Sequence, residues 1–203
     1  CNDQNDLEKA ENLTETENNS TDSNQSNNHE HESNVIVDEE SIMKSIAIRE
    51  EEMESNEWKF WYKRLVSSFI EFSPSPFISS CSFLCDTLFA KAEQIFRPAF
   101  LSVWIFLTEK VRLFVSETFT NSLQSDTLPK HVCSSIISLI EFLDRNDFSM
   151  SISKRTIITA CEKNNIYTNT FYFASKWVTE EPLNIDANES IIRVSSYYDQ
   201  LNM

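Results

Sequence analysis

His29-Glu30-His31-Glu32 is the densest run of potential metal ligands in the chain, because imidazole and carboxylate both bind divalent cations. It lies in an acidic, Asn/Ser-rich stretch with no surrounding groups to orient the ligands, so a bound ion is not expected. Cys81 and Cys85 stand four apart, as two zinc ligands on one helix face could. No second Cys pair complements them and both fall on an apolar stripe, which reads as core thiols. His131 and Cys133 would suit a base and a nucleophile. Positions two apart on a helix point to nearly opposite sides, however, and no third group orients the histidine. Trp58, Trp61, Trp104 and Trp177 could line an aromatic ligand surface, but at helical spacing they are expected in a core. Glu50-Glu-Glu52 reads as a solvated face on which a basic partner could dock. The Asn-linked glycosylation patterns at Asn12, Asn18, Asn19 and Asn188 are those chance supplies in an Asn/Ser-rich chain. The residues therefore assign no catalytic, cofactor-binding or metal-binding position.

The elements that would position these groups are helical. Residues 1–34 are polar and acidic, with Leu7 and Leu13 as the only large aliphatics, and are expected to be disordered. Val35, Ile36, Ile42, Ile46 and Ile48 predict a helix within 35–54. The stripe Trp58, Trp61, Leu65, Phe69 and Phe72 predicts the next, over 58–72, ended by Pro74 and Pro76. Phe77, Cys81, Leu84, Cys85 and Leu88 predict a helix over about 75–90, and another follows over 92–107, bent at Pro98. A helix over 109–123 should turn Val111, Phe114, Val115 and Thr118 inward. Pro129 opens another, with Val132, Ile136, Leu139, Ile140 and Leu143 as its inner face. Helices over 153–163, 166–180 and 187–202 complete the series, the last with Ile191, Val194, Tyr198 and Leu201 inward and Asn188 as a partial capping signal. Helix pairs of this size joined by short turns build all-α solenoids of antiparallel helix pairs, the expected fold class.

Composition narrows the function classes. The net charge is -15, but it is concentrated: residues 1–57 hold 17 acids and 3 bases, the rest 15 acids and 14 bases. That balance argues against binding nucleic acid through phosphates. Glycine is absent, which excludes GxGxxG and Walker-type phosphate loops and disfavours tight-hairpin β folds. Asn146, Asn164 and Asn165 are placed to end helices in its stead. Cys1, Cys81, Cys85, Cys133 and Cys161 are odd in number and widely spaced, which suggests free thiols in a reducing compartment. No apolar run reaches the roughly 18–20 residues of a membrane span. Because it begins at Cys1, the chain is expected to be a fragment or a processed product.

Four stretches carry a family resemblance. They are Trp58-Lys-Phe-Trp61 leading to Ser73-Pro-Ser-Pro76; Ser79-Ser-Cys81 with Ala92-Glu-Gln-Ile-Phe96, Ala99-Phe100 and Trp104; Leu128-Pro129 with Ile137-Ser-Leu-Ile-Glu-Phe-Leu-Asp144; and Tyr167 through Phe173 to Glu180-Glu-Pro182, Glu189-Ser-Ile-Ile192 and Gln200-Leu201. In order and spacing they resemble the end of the HEAT solenoid and the start of the FAT domain in the target-of-rapamycin Ser/Thr protein kinases, of the PI3-kinase-related kinase family. Asn164-Asn165 and Thr168-Asn169-Thr170 depart from a Cys-His pair and an alanine-rich helix in that family, which puts close helix packing there in question.

Composition and pattern predict a disordered segment over 1–34 and a helix and linker over 35–56; the resemblance, which covers about 58–203, implies the end of the HEAT solenoid over 57–127 and the beginning of FAT over 128–203. It implies a non-catalytic scaffold in nutrient and growth signalling, with ATP and Mg confined to the parent's kinase domain. The implied partners are adaptor subunits and the rest of the kinase chain, without nucleic acid or a transmembrane segment. The implied location is cytoplasmic, on endomembrane or vacuole surfaces, with a nuclear pool as the alternative. Three other readings stay open: a free-standing solenoid adaptor, a segment of a DNA-damage checkpoint kinase of the same superfamily, and a tether lipidated at Cys1.

Overall fold

A chain without glycine, with apolar residues recurring every three or four positions, satisfies its backbone most readily in helices. The computed structural model describes residues 37–48 and 53–201, all within one compact unit. In chain order these form α1 (Glu39–Ile46), α2 (Ser55–Glu71), α3 (Pro76–Ser79), a 3-10 turn (Ser80–Phe83), α4 (Leu84–Thr87), α5 (Phe89–Trp104), α6 (Glu109–Gln124), α7 (Lys130–Arg145), α8 (Lys154–Lys163), α9 (Tyr167–Glu180) and α10 (Ile185–Leu201). No strand occurs among the described residues. The fold is an all-α solenoid: α2 packs on α5, α1 on α2 and α6, α6 on α7 and α8, and α8, α9 and α10 follow in succession.

The core is densest around α2. Its predicted stripe is buried from Trp58 to Phe69, with Phe72 half-buried just past the helix end, and Tyr62, Val66 and Ile70 on adjoining faces are buried too, because α1, α5 and α7 enclose it from several sides. Edge-to-face contacts run from Trp58 to Trp61 (5.4 Å) and on to Phe119 (6.5 Å). Phe69 and Phe100 stack at 4.2 Å, and Phe100 stacks in turn on Trp104. Trp61 Nε1–H donates to the Ile46 carbonyl at 2.8 Å, tying α1 to α2. From the other end of α1, the Glu39 carboxylate accepts from both the Thr108 N–H and its hydroxyl at the start of α6. Arg112 of α6 donates to the Trp104 and Ile105 carbonyls and so caps α5.

Several expected elements differ. The helix predicted within 35–54 is shorter: α1 stops at Ile46, and Ala47 is already extended. The helix predicted over 75–90 is instead the α3, 3-10 and α4 sequence, with α5 starting at Phe89. The serines explain the break. Ser80 Oγ donates back to Phe77 O and Ser79 Oγ to Pro76 O, competing with regular helix hydrogen bonding. Phe77 and Leu88, predicted inward, are consequently exposed, and only Cys85 of that stripe is buried. Phe114 is half-buried, and Phe119 takes the deep position on α6. α5 ends at Trp104 rather than 107 and runs through Pro98, whose missing donor falls on an exposed face. The inner face predicted for 130–145 is buried throughout. The α10 cap is Asn184, whose Oδ1 accepts from Ala187 N–H at 3.1 Å, so Asn188 lies inside the helix. The disorder expected of 1–34 concerns residues outside those described.

Two helix ends need a left-handed residue, and without glycine they use Asp147 (φ 63°) and Asn165 (φ 54°). Asp147, not Asn146, takes this role after α7. Phe148 N–H reaches Leu143 O at 3.0 Å and Asp147 N–H reaches Asp144 O at 3.3 Å, while Ile166 N–H and Asn165 N–H repeat the pattern on Cys161 and Glu162. Beyond these turns α9 packs closely on both neighbours despite its polar residues. Thr170 is fully buried and its hydroxyl donates to Ile166 O, and Asn169 donates to Glu141 at 2.6 Å. Tyr172 and Lys176 both donate to the Asp144 carboxylate, at 2.7 and 2.5 Å, and the Arg145 guanidinium lies 4.5 Å over the Tyr172 ring. Burial alone would raise the Asp144 carboxyl, but those two hydrogen bonds and the charges of Lys176 and Lys154 outweigh it and hold it below its ordinary value. The Tyr172 phenol is pushed up to about 12 by burial and by donating to Asp144.

Two outcomes follow. Asn165→Gly should raise stability by roughly 0.5–1 kcal/mol and Asn165→Val lower it by roughly 1–2 kcal/mol, read by urea unfolding; a stabilising valine would contradict the left-handed cap. Because the native Asp144 carboxyl is lowered, its contribution is complete above the ordinary carboxylate value of about 3.9 and is lost as pH falls through the lower native value. Asp144→Asn should therefore cost roughly 1–3 kcal/mol at neutral pH, and its gap from the parent should shrink as unfolding is measured at progressively more acid pH. A gap constant with pH would remove the carboxylate from the α7–α9 contact.

Candidate interaction surface

The clearest opening follows from one residue lying off the α2 stripe. Phe60 sits between Trp58 and Trp61 in sequence, so its ring turns outward and is 70% exposed. Beside it a groove of about 510 Å³ opens between the N-terminal parts of α2 and α5 and the start of α7. Phe60, Phe89 and the ring of Tyr62 supply its apolar wall, and Phe89 meets Tyr62 edge-to-face at 6.0 Å. Asn56, Lys59, Lys63 and His131 form the polar rim. Lys63 Nζ donates to Asp86 of α4 at 3.1 Å, an exposed pair worth little.

Tyr62 also borders a second, polar crevice of about 370 Å³ between α5 and α7, where Glu93, Arg97 and Ser135 gather. Burial, partly offset by hydrogen bonding with Ser135, drives its phenol well above the ordinary value. At neutral pH Tyr62 thus acts as a neutral hydrogen-bonding group. Further apolar surface is presented by Phe77, Phe83 and Leu88 in the 76–88 segment, and by Leu183, Ile185 and Ile192 around the start of α10.

The residues singled out in the sequence are placed as follows. His131 is exposed on the groove rim while Cys133 is fully buried, so they face apart. Burial pushes the Cys133 thiol up to about 11, and its sulfur accepts from Asn164 Nδ2 at 3.3 Å. Burial first, then neighbouring Cys133, raises the Cys161 thiol further. Such thiols are poor nucleophiles, because the thiolate is the reactive form. Cys81 is half-buried and its S–H donates to Phe77 O at 3.3 Å, while Cys85 is buried. Trp58, Trp61, Trp104 and Trp177 are all core residues. The Asn188 side chain donates to Asn184 O at 2.9 Å within its own helix. Cys1, Asn12, Asn18, Asn19, the His29–Glu32 run and Glu50-Glu-Glu52 lie outside the described residues.

Among the described residues no group of three or more His, Cys, Asp and Glu side chains is placed to hold a metal, and no helix is long and apolar enough to cross a membrane. Lys59 and Phe60 entered the sequence reading only within the Trp58-Lys-Phe-Trp61 stretch, and neither they nor Lys63 and Phe89 were read as a surface. An aromatic off the stripe of a helix whose other aromatics lie on it was the available signal.

No family model matches the chain. It is 24% identical over 148 residues to the serine/threonine-protein kinase tor1 of Schizosaccharomyces pombe, covering 71% of this chain and 6% of that protein. It is 22% identical over 161 residues to the serine/threonine-protein kinase TOR2 of Saccharomyces cerevisiae, covering 79% and 6%. A shorter similarity, 26% over 92 residues, joins it to the serine/threonine-protein kinase mTor of Drosophila melanogaster, covering 45% and 4%. The chain thus spans only a small part of the length of these relatives. It is a helical segment similar in sequence to a small part of the target-of-rapamycin serine/threonine-protein kinases.

Proposed function

We propose that the chain is a non-catalytic scaffold at the junction of the HEAT solenoid (57–127) and the FAT domain (128–203) of a target-of-rapamycin-like Ser/Thr protein kinase in nutrient and growth signalling. The observation that supports this most is where the resemblance falls. Trp58, Trp61, Phe96, Phe100, Trp104, Ile137, Leu143 and Phe173 are all buried between helices, and similarity to one relative extends over 79% of the chain. Many of the residues that carry the resemblance therefore hold helices together, the property a brace needs.

In this reading ATP and Mg belong to the parent's kinase domain, and the segment transmits adaptor and effector binding toward it. Its partners are adaptor subunits and the remainder of the kinase chain, working in the cytoplasm and at endomembrane or vacuole surfaces.

Ile137 is fully buried in the middle of α7. Proline there removes an interior helix hydrogen bond and clashes with the preceding turn, at a cost of about 3 kcal/mol or more. Ile137→Pro in the full-length parent should reduce co-purification of adaptor subunits and lower kinase activity in proportion. Normal assembly with normal activity would overturn the scaffold role. Normal assembly with lost activity would place the segment in control of the kinase cleft instead of in assembly.

A further inference from the structure

We propose that the groove between α2, α5 and the start of α7 docks an acidic peptide of a partner protein, one that inserts a large apolar side chain against Phe60 and Phe89. The groove supports this whether or not the parent chain is a kinase. Phe60 is 70% exposed on a helix whose other aromatics, Trp58, Trp61, Tyr62 and Phe69, are each at most 3% exposed. The packing of this chain thus leaves one large apolar side chain of α2 uncovered, and the Phe89 ring beside it is only half-covered. An apolar anchor laid there would take both rings out of water.

Charge selects the partner. Every ionisable group on the groove rim is a base (Lys59, Lys63 and His131), although the chain as a whole carries a net charge of -15. Asp86 is the carboxylate in contact, and its pairing with Lys63 is exposed enough to be exchanged for a partner's acid. His131 stands in the first turn of α7, a helix whose N-terminal N–H groups have no side-chain cap. A carboxylate arriving there meets those donors and the positive end of a 16-residue helix along with the histidine. A basic peptide would face repulsion on the same rim. Two lysines and one histidine are also too few to track a phosphate backbone.

The test uses the 203-residue chain and a fluorescein-labelled helical peptide of about 18 residues, with Leu and Phe at i, i+4 and i+7 on a Glu/Ala background. Anisotropy titration at low salt should show saturable binding. Lys59→Glu combined with Lys63→Glu should weaken it by at least about tenfold, and a peptide with Lys in place of Glu should prefer that double variant to the parent. Phe60→Ser should weaken binding at least about fivefold while leaving the thermal melt unchanged, since the side chain is exposed. Absence of saturable binding, or equal binding by the double variant, would overturn the proposal. Displacement of the peptide by single-stranded oligonucleotide at matching concentration would replace it with a nucleic-acid site. A Phe60-dependent dimer in sedimentation would replace it with self-association.

Discussion

Trp61 has no surface left to solvent, and its indole does three things at once. Its N–H closes the end of α1 on the Ile46 carbonyl, its edge meets Trp58, and it meets Phe119 of α6. One side chain therefore joins three helices, two of which it reaches across long stretches of sequence. Truncating a buried aromatic of this size costs about 3–5 kcal/mol, and leaving a buried carbonyl unpaired adds about 1–3 kcal/mol. The ladder beyond depends on it: Phe119 and Phe100 fix α6 against α5, Arg112 caps α5 from α6, and the later helices are laid on α6 and α7.

The helices that were legible in the sequence are those with a single buried face. α7 is the clearest, because Val132, Ile136, Leu139, Ile140 and Leu143 form one stripe and polar residues occupy much of the remainder. α2 was legible in register but not in extent. Tyr62, Val66 and Ile70 are buried by helices that arrive later in the chain, and no local period announces that. The 76–88 segment misled for a different reason. Its apolar spacing is helical, but proline and serine chemistry decides the backbone there, and hydroxyls bonding back to carbonyls break the pattern into short turns.

The groove was hidden for a geometric reason. Phe60, Phe89 and His131 belong to three helices, and only the packing of those helices sets them side by side. The Asp144–Tyr172–Lys176 contact is similar, since its partners lie 28 and 32 residues apart. The polar residues of α8 and α9 looked like defects in a packed interface. Thr170, Asn164 and Asn169 instead each find a backbone or side-chain partner, so that interface stays close with altered chemistry.

The four described cysteines span a graded series of depth, from half-buried Cys81 in the 3-10 turn, through Cys85, to Cys133 and Cys161 sealed between α7 and α8. The two deepest are also the two whose thiolates burial suppresses. A thiol-reactive dye can therefore reach them only through excursions that part those helices. The order in which the sulfurs acquire label becomes a clock of how the solenoid breathes, with no foreign probe introduced into the chain.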